Sequence, residues 1–202
     1  MDKFVKWPNW FDDKYRFLIG EGIRYFSTKI ALNLLHQMGG RIIVETGTTR
    51  ARDDFGGAGM ATIFFGDYAR ENDCHLWTVD ILPEAIELSK ELTLDYEEWI
   101  TYVESDSLIF LKNFPEKIDL LYLDSVDCPI EDNPDDPVLL KSQQHQLNEL
   151  IAAWDKLHDK SIILLDDNKH KNGGKCKLSK EFLANQGWTC ILDDYQSLWI
   201  KR

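Results

Sequence analysis

The chain has 202 residues, a length typical of one domain that buries a single substantial core. Its 35 acidic and 23 basic residues give a formal net charge of −12, which argues against a basic surface that binds nucleic acid. The N-terminus lacks an apolar stretch of signal-peptide or membrane-span length, so we expect a cytoplasmic protein without a membrane partner. Four scattered cysteines without a CxxC pair favour reduced thiols over disulfides or a zinc site.

The first 40 residues are predicted to form a helical cap on the core of a single domain, residues 41–202. Residues 1–22 mix aromatic and charged side chains, and residues 23–38 carry apolar side chains at helical spacing. The pair Gly39-Gly40 then supplies the end of this helix.

The central motif of the chain follows this cap. The apolar run Ile42 to Val44 leads to Glu45 and Gly47, a pattern typical of a buried parallel strand that breaks into a tight turn. A glycine in such a turn lets the backbone approach a ligand closely. The glycine-rich stretch after Gly47 is predicted to open into a helix from about residue 60 to 70.

Strands and helices alternate along the rest of the chain. Further helices are predicted to begin at Pro83, after Ser107, after Pro137 and near Leu178. Further strands are predicted at residues 76–79, 99–103, 118–124, 161–165, 188–192 and 198–201. This alternation predicts an α/β fold with a Rossmann-like doubly wound sheet of about seven strands, mostly parallel, with an antiparallel C-terminal hairpin.

Acidic residues stand at or just after the ends of five predicted strands: Glu45, Asp80, Asp106, Asp124 and Asp166-Asp167. Asp80 is placed to accept hydrogen bonds from both hydroxyls of a ribose. The turn at Gly47 lacks the G-x-G-x-x-G spacing of a pyrophosphate site, which favours an adenosyl cofactor without phosphates. For any single residue of this series, a role in a turn or helix cap explains the carboxylate equally well.

In this order and at these positions, the motifs resemble those of class I S-adenosylmethionine-dependent methyltransferases, from about Arg41 to the C-terminus. The resemblance places the turn after the first strand at the methionine part of the cofactor, Asp80 at the ribose and Asp106 near the adenine. It implies a cofactor-binding set that comprises Glu45, Thr46, Gly47, Thr48, Gly59, Asp80, Ile81, Ser105, Asp106, Ser107 and Asp124. The chain departs from the family at Thr49, where a second glycine is usual, and Gly57 or Gly59 could supply the close approach instead.

A metal site is predicted at the ends of the fourth and fifth strands. Asp124, Asp167 and Asn168 offer two carboxylates and an amide oxygen, the hard ligands that Mg²⁺ prefers. The set is similar to that of the catechol-type, divalent-cation-dependent O-methyltransferases. Such a metal would lower the pKa of a substrate hydroxyl and orient it toward the methyl donor. Asp166 could replace Asp167 as a ligand, and capping of a loop is the alternative explanation for all three residues after the fifth strand.

The general base is less well defined by the sequence. The similar enzymes have a lysine three residues after the fourth-strand aspartate, where this chain has Asp127. The candidates for the base are His170, Lys169 and His145, with Lys171 and Lys175 as further alternatives. His170 is favoured, since it adjoins the predicted metal set and a histidine titrates near neutral pH. For each candidate a solvated position is the alternative, and His36, His75 and His158 are expected to be structural or exposed.

The sequence therefore predicts a methyltransferase that uses S-adenosylmethionine and Mg²⁺ or another divalent cation to O-methylate a small hydroxylated molecule. No nucleic-acid partner is expected, and a homodimer is an option. The acidic stretch from Asp124 to Pro137 is expected to lie as a loop over the site. Two alternatives stay open: an NAD(P)-type oxidoreductase, which Asp80 supports and the missing glycines oppose, and a non-catalytic nucleoside-binding or assembly module on the same fold.

Overall fold

The computed structural model describes residues 10–19, 24–54, 57, 60–129 and 133–201. The helices in this part of the chain are α1 Trp10–Ile19, α2 Tyr25–Met38, α3 Ala61–Asn72, α4 Pro83–Leu92, α5 Ser107–Asn113, α6 Pro137–Ala152 and α7 Lys177–Asn185. The strands are β1 Ile42–Thr46, β2 His75–Asp80, β3 Ile100–Glu104, β4 Leu120–Leu123, β5 Ile162–Leu165, β6 Trp188–Asp193 and β7 Ser197–Lys201. The helix predicted from residue 23 thus begins at Tyr25, and the fourth strand is shorter than the predicted range 118–124.

The strands form one seven-stranded sheet in the order β3-β2-β1-β4-β5-β7-β6. The pairs from β3 through β5 are parallel, while β7 lies antiparallel between β5 and β6. This arrangement confirms the predicted Rossmann-like sheet with its antiparallel C-terminal hairpin. The order of strands reverses direction between β1 and β4, and in open α/β sheets the binding crevice lies outside the carboxyl ends of the strands at this point.

The central strands are buried on both faces, as their apolar runs predict. Because successive side chains of a strand point to opposite faces, Ile43 belongs to one core cluster and Val44 to the other. The first core packs α1, α2 and α3 on one face of the sheet, and the second core packs side chains of α5, α6 and α7 on the other face. The edge of the sheet that carries the strand ends is thus the place where polar groups can gather.

The described N-terminal helix packs into the first core. Phe11 and Tyr15 of α1 are buried, and the Tyr15 ring packs edge to face against Phe64 of α3. The Tyr15 hydroxyl donates to Asp67, a fully buried carboxylate that also pairs with Arg70. The segments 1–9 and 20–23 of the predicted cap lie outside the described residues. In the described part of the chain, no helix combines the length and hydrophobicity that a membrane crossing requires.

Candidate active site

The turn after β1 lies directly against the turn after β4. Gly47 has a φ of +83°, and a Cβ atom at this position would lie 2.3 Å from the carbonyl oxygen of Asp124. The amide of Asp124 in turn donates to the carbonyl of Thr46 at 2.9 Å. The sequence explained Gly47 by the approach of a ligand, and the structure adds the approach of a second backbone segment. The two turns therefore form one continuous floor of the crevice.

Glu45 is a fully buried carboxyl group at the end of β1. Its Oε2 accepts hydrogen bonds from the hydroxyls of Thr62 and Thr78, both at 2.7 Å. Its Oε1 has no hydrogen-bond partner among the described residues. Burial raises the pKa of Glu45 to about 8, although the two threonine hydroxyls act in the opposite direction. A buried acceptor without a partner is costly, so Oε1 is suited to a donor that a ligand brings.

The raised pKa of Glu45 predicts a specific dependence of stability on pH. The ordinary pKa of a glutamate is near 4.5, and that of Glu45 is about 8. Between these two pH values, the carboxyl group of Glu45 binds a proton more tightly in the folded protein than in the unfolded chain. The free energy of unfolding should therefore fall as pH rises through this window, by about 1.4 kcal/mol for each unit of pKa shift. Urea unfolding from pH 5 to 8 should show this fall in the wild type and lose it in Glu45→Gln.

The difference in unfolding free energy between wild type and variant isolates the contribution of Glu45, because the other titrating groups are common to both. Glu84→Gln, which changes an exposed glutamate in α4, is the control and should leave the pH profile unchanged. A wild-type minus Glu45→Gln difference that stays flat from pH 5 to 8 would contradict the raised pKa.

Asp80 ends β2 and organises the backbone on either side of it. Its Oδ2 accepts from the amide of Thr48 at 3.1 Å, and its Oδ1 accepts from the amide of Leu82 at 2.9 Å. Each carboxylate oxygen can accept a further hydrogen bond, so both remain available to hydroxyl donors. Next to it, Ile81 is 64% exposed, an apolar side chain at a strand end with no protein covering most of it.

The other predicted cofactor residues take several local roles. Asp106 caps α5, and its Oδ1 accepts from the amides of Leu108 and Ile109, so the capping explanation holds for this oxygen. The Ser105 amide donates to the carbonyl of Asp80, which brings the ends of β2 and β3 together. Thr48 is buried, and its hydroxyl donates to Ser89 at 2.8 Å. Gly59 lies outside the described residues.

A compact group of three carboxylates and two cations occupies the ends of β4 and β5. Lys175, 1% exposed, donates to Oδ1 of Asp124 at 2.5 Å and lies 3.2 Å from Oδ2 of Asp167. Arg24, which precedes α2, donates to Asp166 through Nε at 2.9 Å and through Nη2 at 2.7 Å. We call these five residues the acid-cation cluster. Its ion pairs tie the N-terminal part of the chain and the loop after β5 to the strand ends.

The acid-cation cluster shifts the pKa values of its members in different directions. Burial raises the pKa of Asp124, and the adjacent carboxylate of Asp166 adds to this effect while Lys175 opposes it. Burial acts on Asp166 in the same way, but the Arg24 guanidinium holds the pKa of Asp166 below its usual value. Burial disfavours the charged form of Lys175, yet the carboxylates of Asp124 and Asp167 raise its pKa. The pKa values of these three side chains are therefore set by burial together with the neighbouring charges of the cluster.

The predicted metal site does not match the observed contacts. Asp124, Asp166 and Asp167 do present oxygens within 4.8 Å of one another. However, the Lys175 ammonium lies against two of these carboxylates, and Arg24 and Gln196 bind the third. Three carboxylates whose oxygens are already engaged by cations and donors do not fit a divalent ion without displacement of Lys175.

Asn168, the third predicted metal ligand, makes its contacts with the β6–β7 hairpin and α7. Its amide nitrogen donates to Oδ1 of Asp193 and to the carbonyl of Asp194, and its Oδ1 accepts from Lys180 at 2.9 Å. Asn168 therefore fastens the loop after β5 to the β6–β7 hairpin. Its amide oxygen is engaged there by Lys180, whereas Asp167 contacts the acid-cation cluster.

The three predicted base candidates lie in three different surroundings. His170 Nε2 lies 3.3 Å from Oδ1 of Asp167 and 3.2 Å from the hydroxyl of Tyr195, beside the acid-cation cluster. Lys169 is instead a mostly exposed side chain that pairs with Asp194. His145 of α6 contacts Ser107 at 3.3 Å, on the side of the predicted adenine position. His170 therefore lies beside the acid-cation cluster, Lys169 lies at the surface, and His145 lines a small cleft that also contains Lys175 and Val126.

The position that the similar enzymes fill with lysine has a different role here. Asp127 forms a two-pronged ion pair with Arg50, with contacts of 2.7 and 3.1 Å. This ion pair connects the loop after β4 to the polar stretch after β1. Because the Asp127 side chain is 76% exposed, the pair contributes little stability.

Several residues of the site were not predicted from the sequence. Arg24, Tyr195 and Gln196 were missed, and Lys175 was considered only as a base. The Tyr195 hydroxyl donates to Asp167 at 2.7 Å, and the Arg24 guanidinium lies 4.6 Å from the centre of the Tyr195 ring. No spacing in the sequence connects Arg24 with Asp166, because their proximity depends on the tertiary fold. A turn between two strands gave the one local signal for residues 193–196, and it indicated only a hairpin.

Comparisons with known proteins agree with this architecture. Residues 55–168 match a family model described as a methyltransferase domain. No curated protein matches the chain significantly. The chain is similar to the methyltransferase PaMTH1 of Podospora anserina, bound to S-adenosylhomocysteine, at 13% identity and a TM-score of 0.61 over 100% of this chain and 88% of that one.

Two further solved structures show the same fold. A caffeoyl-CoA O-methyltransferase candidate from Staphylococcus aureus aligns at 13% identity and a TM-score of 0.59, over 88% of this chain and 83% of that one. An rRNA-methylase candidate from Clostridium thermocellum aligns at 16% identity and a TM-score of 0.53, over 84% and 94% respectively. At such identities the likeness establishes the fold and does not identify the acceptor. The family model, by contrast, covers more than half of the chain and decides against the oxidoreductase alternative. The chain belongs to the methyltransferase-domain family and is a class I S-adenosylmethionine-dependent methyltransferase.

Proposed function

We propose that this protein transfers a methyl group from S-adenosylmethionine to a hydroxyl oxygen of a small molecule held at the ends of β4 and β5. The observation that carries the proposal is the convergence of Asp124, Asp167, His170 and Tyr195 beside the turn of Gly47. Because that turn is the predicted place of the methionine part, a group bound among these side chains would adjoin the methyl group. The formal net charge of −12 favours a small molecule over RNA as the acceptor.

The residues of the cofactor half fit S-adenosylmethionine. Oε1 of Glu45 is a buried acceptor that lacks a partner among the described residues, and Asp80 keeps acceptor capacity on both oxygens. Ile81 offers an exposed apolar surface of the kind that an adenine ring covers. When bound, S-adenosylmethionine supplies a methyl group that its sulfonium has already activated. The main task of the protein is then to position the acceptor, and correct positioning alone supplies much of the rate.

We infer that His170 is the general base. If Nε2–H donates to the carboxylate of Asp167, Nδ1 carries the lone pair, and Nδ1 has no hydrogen-bond partner among the described residues. Asp167 itself adopts a left-handed backbone with a φ of +55°, a conformation that surrounding structure must enforce. Such enforced geometry supports a role for this carboxylate in orienting His170. His170 would take the proton of the acceptor hydroxyl and leave its oxygen nucleophilic.

The acceptor class is tested by measuring S-adenosylhomocysteine release with purified protein and a panel of acceptors. The panel contains catechols, other phenols, sugars, aliphatic amines, thiols and an RNA oligonucleotide. We expect turnover with at least one hydroxyl acceptor and formation of a methyl ether, identified by mass spectrometry. Methylation confined to amines, thiols or RNA would refute oxygen transfer to a small molecule. Tight cofactor binding without turnover of any acceptor would favour the non-catalytic module.

His170→Gln should lower kcat for the best hydroxyl acceptor by about 100-fold, because positioned bases contribute at least this factor. Binding of S-adenosylhomocysteine should stay within about twofold of the wild type. The matched control is His158→Gln, which removes another carboxylate-paired histidine, 3.1 Å from Asp119 at the opposite end of the sheet. An equal loss of kcat in both variants would show that His170 acts through stability and not as the base.

A further inference from the structure

The side chain of Lys175 enters the site through an unusual stretch of backbone. Gly174, the residue before it, has a φ of +54°, and a Cβ there would lie 1.9 Å from the carbonyl oxygen of Asp167. Only glycine permits this approach, which brings the chain directly against the end of β5. As a result, the side chain of Lys175 runs between the ends of β4 and β5 and is 2% exposed. The sequence Gly173-Gly174-Lys175 therefore builds a cation into the site.

All three donors of the Lys175 ammonium have an oxygen within reach. They face Oδ1 of Asp124 at 2.5 Å, the carbonyl of Val126 at 3.0 Å and Oδ2 of Asp167 at 3.2 Å. A Mg²⁺ ion bound by the same two carboxylates would sit about 2.1 Å from their oxygens. Mg²⁺ and the Lys175 ammonium would thus compete for one position. The ammonium occupies it permanently, because it is part of the protein chain.

The charge balance of the acid-cation cluster points in the same direction. With all three carboxyl groups ionised, the cluster carries one negative charge more than the cations Arg24 and Lys175 balance. Without Lys175, the excess in that state would be two negative charges, and a divalent ion would match them. The buried position makes this difference large, because uncompensated charge is costly away from water.

We propose that Lys175 replaces the divalent cation of metal-assisted methyl transfer, so that this protein works without a metal. The proposal rests on the proposed function at the same site. Lys175 is a positioning residue: it fixes Asp124 and Asp167, and Asp167 in turn contacts His170. The fixed charge thereby holds the two strand-end carboxylates together, as a bound metal would, and contact with the acceptor hydroxyl is left to His170.

The first test measures metal binding without turnover. Mn²⁺ is titrated into the wild type, Lys175→Ala and Lys175→Met, and bound ion is followed by electron paramagnetic resonance. The wild type should bind no Mn²⁺ at this site up to about 1 mM, whereas removal of the ammonium should create one site per chain that Asp124→Asn weakens at least tenfold. Lys177→Ala, an exposed lysine two residues away, is the control and should behave as the wild type.

Stoichiometric Mn²⁺ binding by the wild type that Asp124→Asn abolishes would overturn the proposal. So would the absence of any new site in both Lys175 variants, provided that circular dichroism shows them folded. If both Lys175 variants fail to fold, the Mn²⁺ titrations of the wild type and of Asp124→Asn still test the proposal. None of these results depends on an acceptor, so failure of the O-methyl transfer proposal is seen separately in the product assay.

The second test uses turnover and separates positioning from general structural damage. S-adenosylhomocysteine release by the wild type should be unchanged by EDTA and by about 5 mM Mg²⁺, a saturating concentration. Lys175→Ala should lose about tenfold or more of its rate, and Mg²⁺ should restore a measurable part of it. Loss of wild-type activity in EDTA with recovery in Mg²⁺ would refute the replacement of the metal by Lys175.

Discussion

Asp80→Ala is expected to weaken binding of S-adenosylhomocysteine by about 100-fold. Two ribose hydroxyls that donate to a carboxylate contribute about 1.5 kcal/mol each at the low end, and about 3 kcal/mol in total corresponds to this factor. The prediction depends on the geometry of Asp80, whose two oxygens each accept one backbone donor among the described residues. Isothermal titration calorimetry of the variant and the wild type with S-adenosylhomocysteine measures the effect.

Two comparisons separate the ligand contribution from damage to the turn. Asp80→Asn keeps a neutral acceptor for the backbone amides, so its affinity should lie between those of the wild type and Asp80→Ala. Asp95→Ala removes an exposed carboxylate from the segment after α4 and should bind as the wild type does. An Asp80→Ala affinity within about threefold of the wild type would remove Asp80 from the cofactor site and leave it a turn residue.

Gly47→Ala is expected to destabilise the protein by about 3 kcal/mol or more. The left-handed backbone costs about 1 to 2 kcal/mol for an alanine, and the added methyl group would overlap the carbonyl of Asp124. A backbone atom cannot move aside as a flexible side chain can, so the turn after β1 or the turn after β4 must shift. Urea unfolding monitored by tryptophan fluorescence gives the change in free energy.

Gly39→Ala provides a matched control for this variant. Gly39 follows α2 with a φ of +69°, but a Cβ there would meet no atom of the described residues within 4 Å. Its substitution should therefore cost only the left-handed strain, about 1 to 2 kcal/mol. Similar losses for both variants would mean that contact between the two turns adds nothing. A larger loss of unfolding free energy for Gly47→Ala, together with a weaker affinity for S-adenosylhomocysteine, would confirm that contact between the turns after β1 and β4 supports the cofactor site.

The fold was largely predictable because its signals are local. The apolar runs of β1, β4 and β5 identify buried strands without reference to the rest of the chain, and the helix starts at Pro83 and Pro137 follow from the fixed φ of proline. The antiparallel hairpin follows from the short turn between β6 and β7. Glu45 and Asp80 could be placed at the crevice for the same reason, since Glu45 is the last residue but one of β1 and Asp80 is the last residue of β2.

The acceptor side of the site was less predictable, because its contacts are set by tertiary structure. The direction of the Asn168 amide depends on the β6–β7 hairpin, which supplies Asp193 and the carbonyl of Asp194. The destination of Lys175 depends on the close approach of Gly174 to Asp167, which no spacing reveals. The carboxylates at the strand ends led to the prediction of a divalent cation, whereas the contacts place the Lys175 ammonium among them. That position of Lys175 could be recognised only in three dimensions.

The pairing of Arg24 with Asp166 has a consequence for the order in which the crevice is assembled. The predicted cofactor residues lie between Glu45 and Asp124, whereas Arg24 reaches partners 142 and 171 residues further along the chain. Synthesis delivers the N-terminal part first, and contacts that close such long loops form late in folding. A nascent chain can therefore carry every cofactor residue while the partners of Arg24 are still unmade. The acceptor half of the crevice is completed only when the last hairpin has joined the sheet.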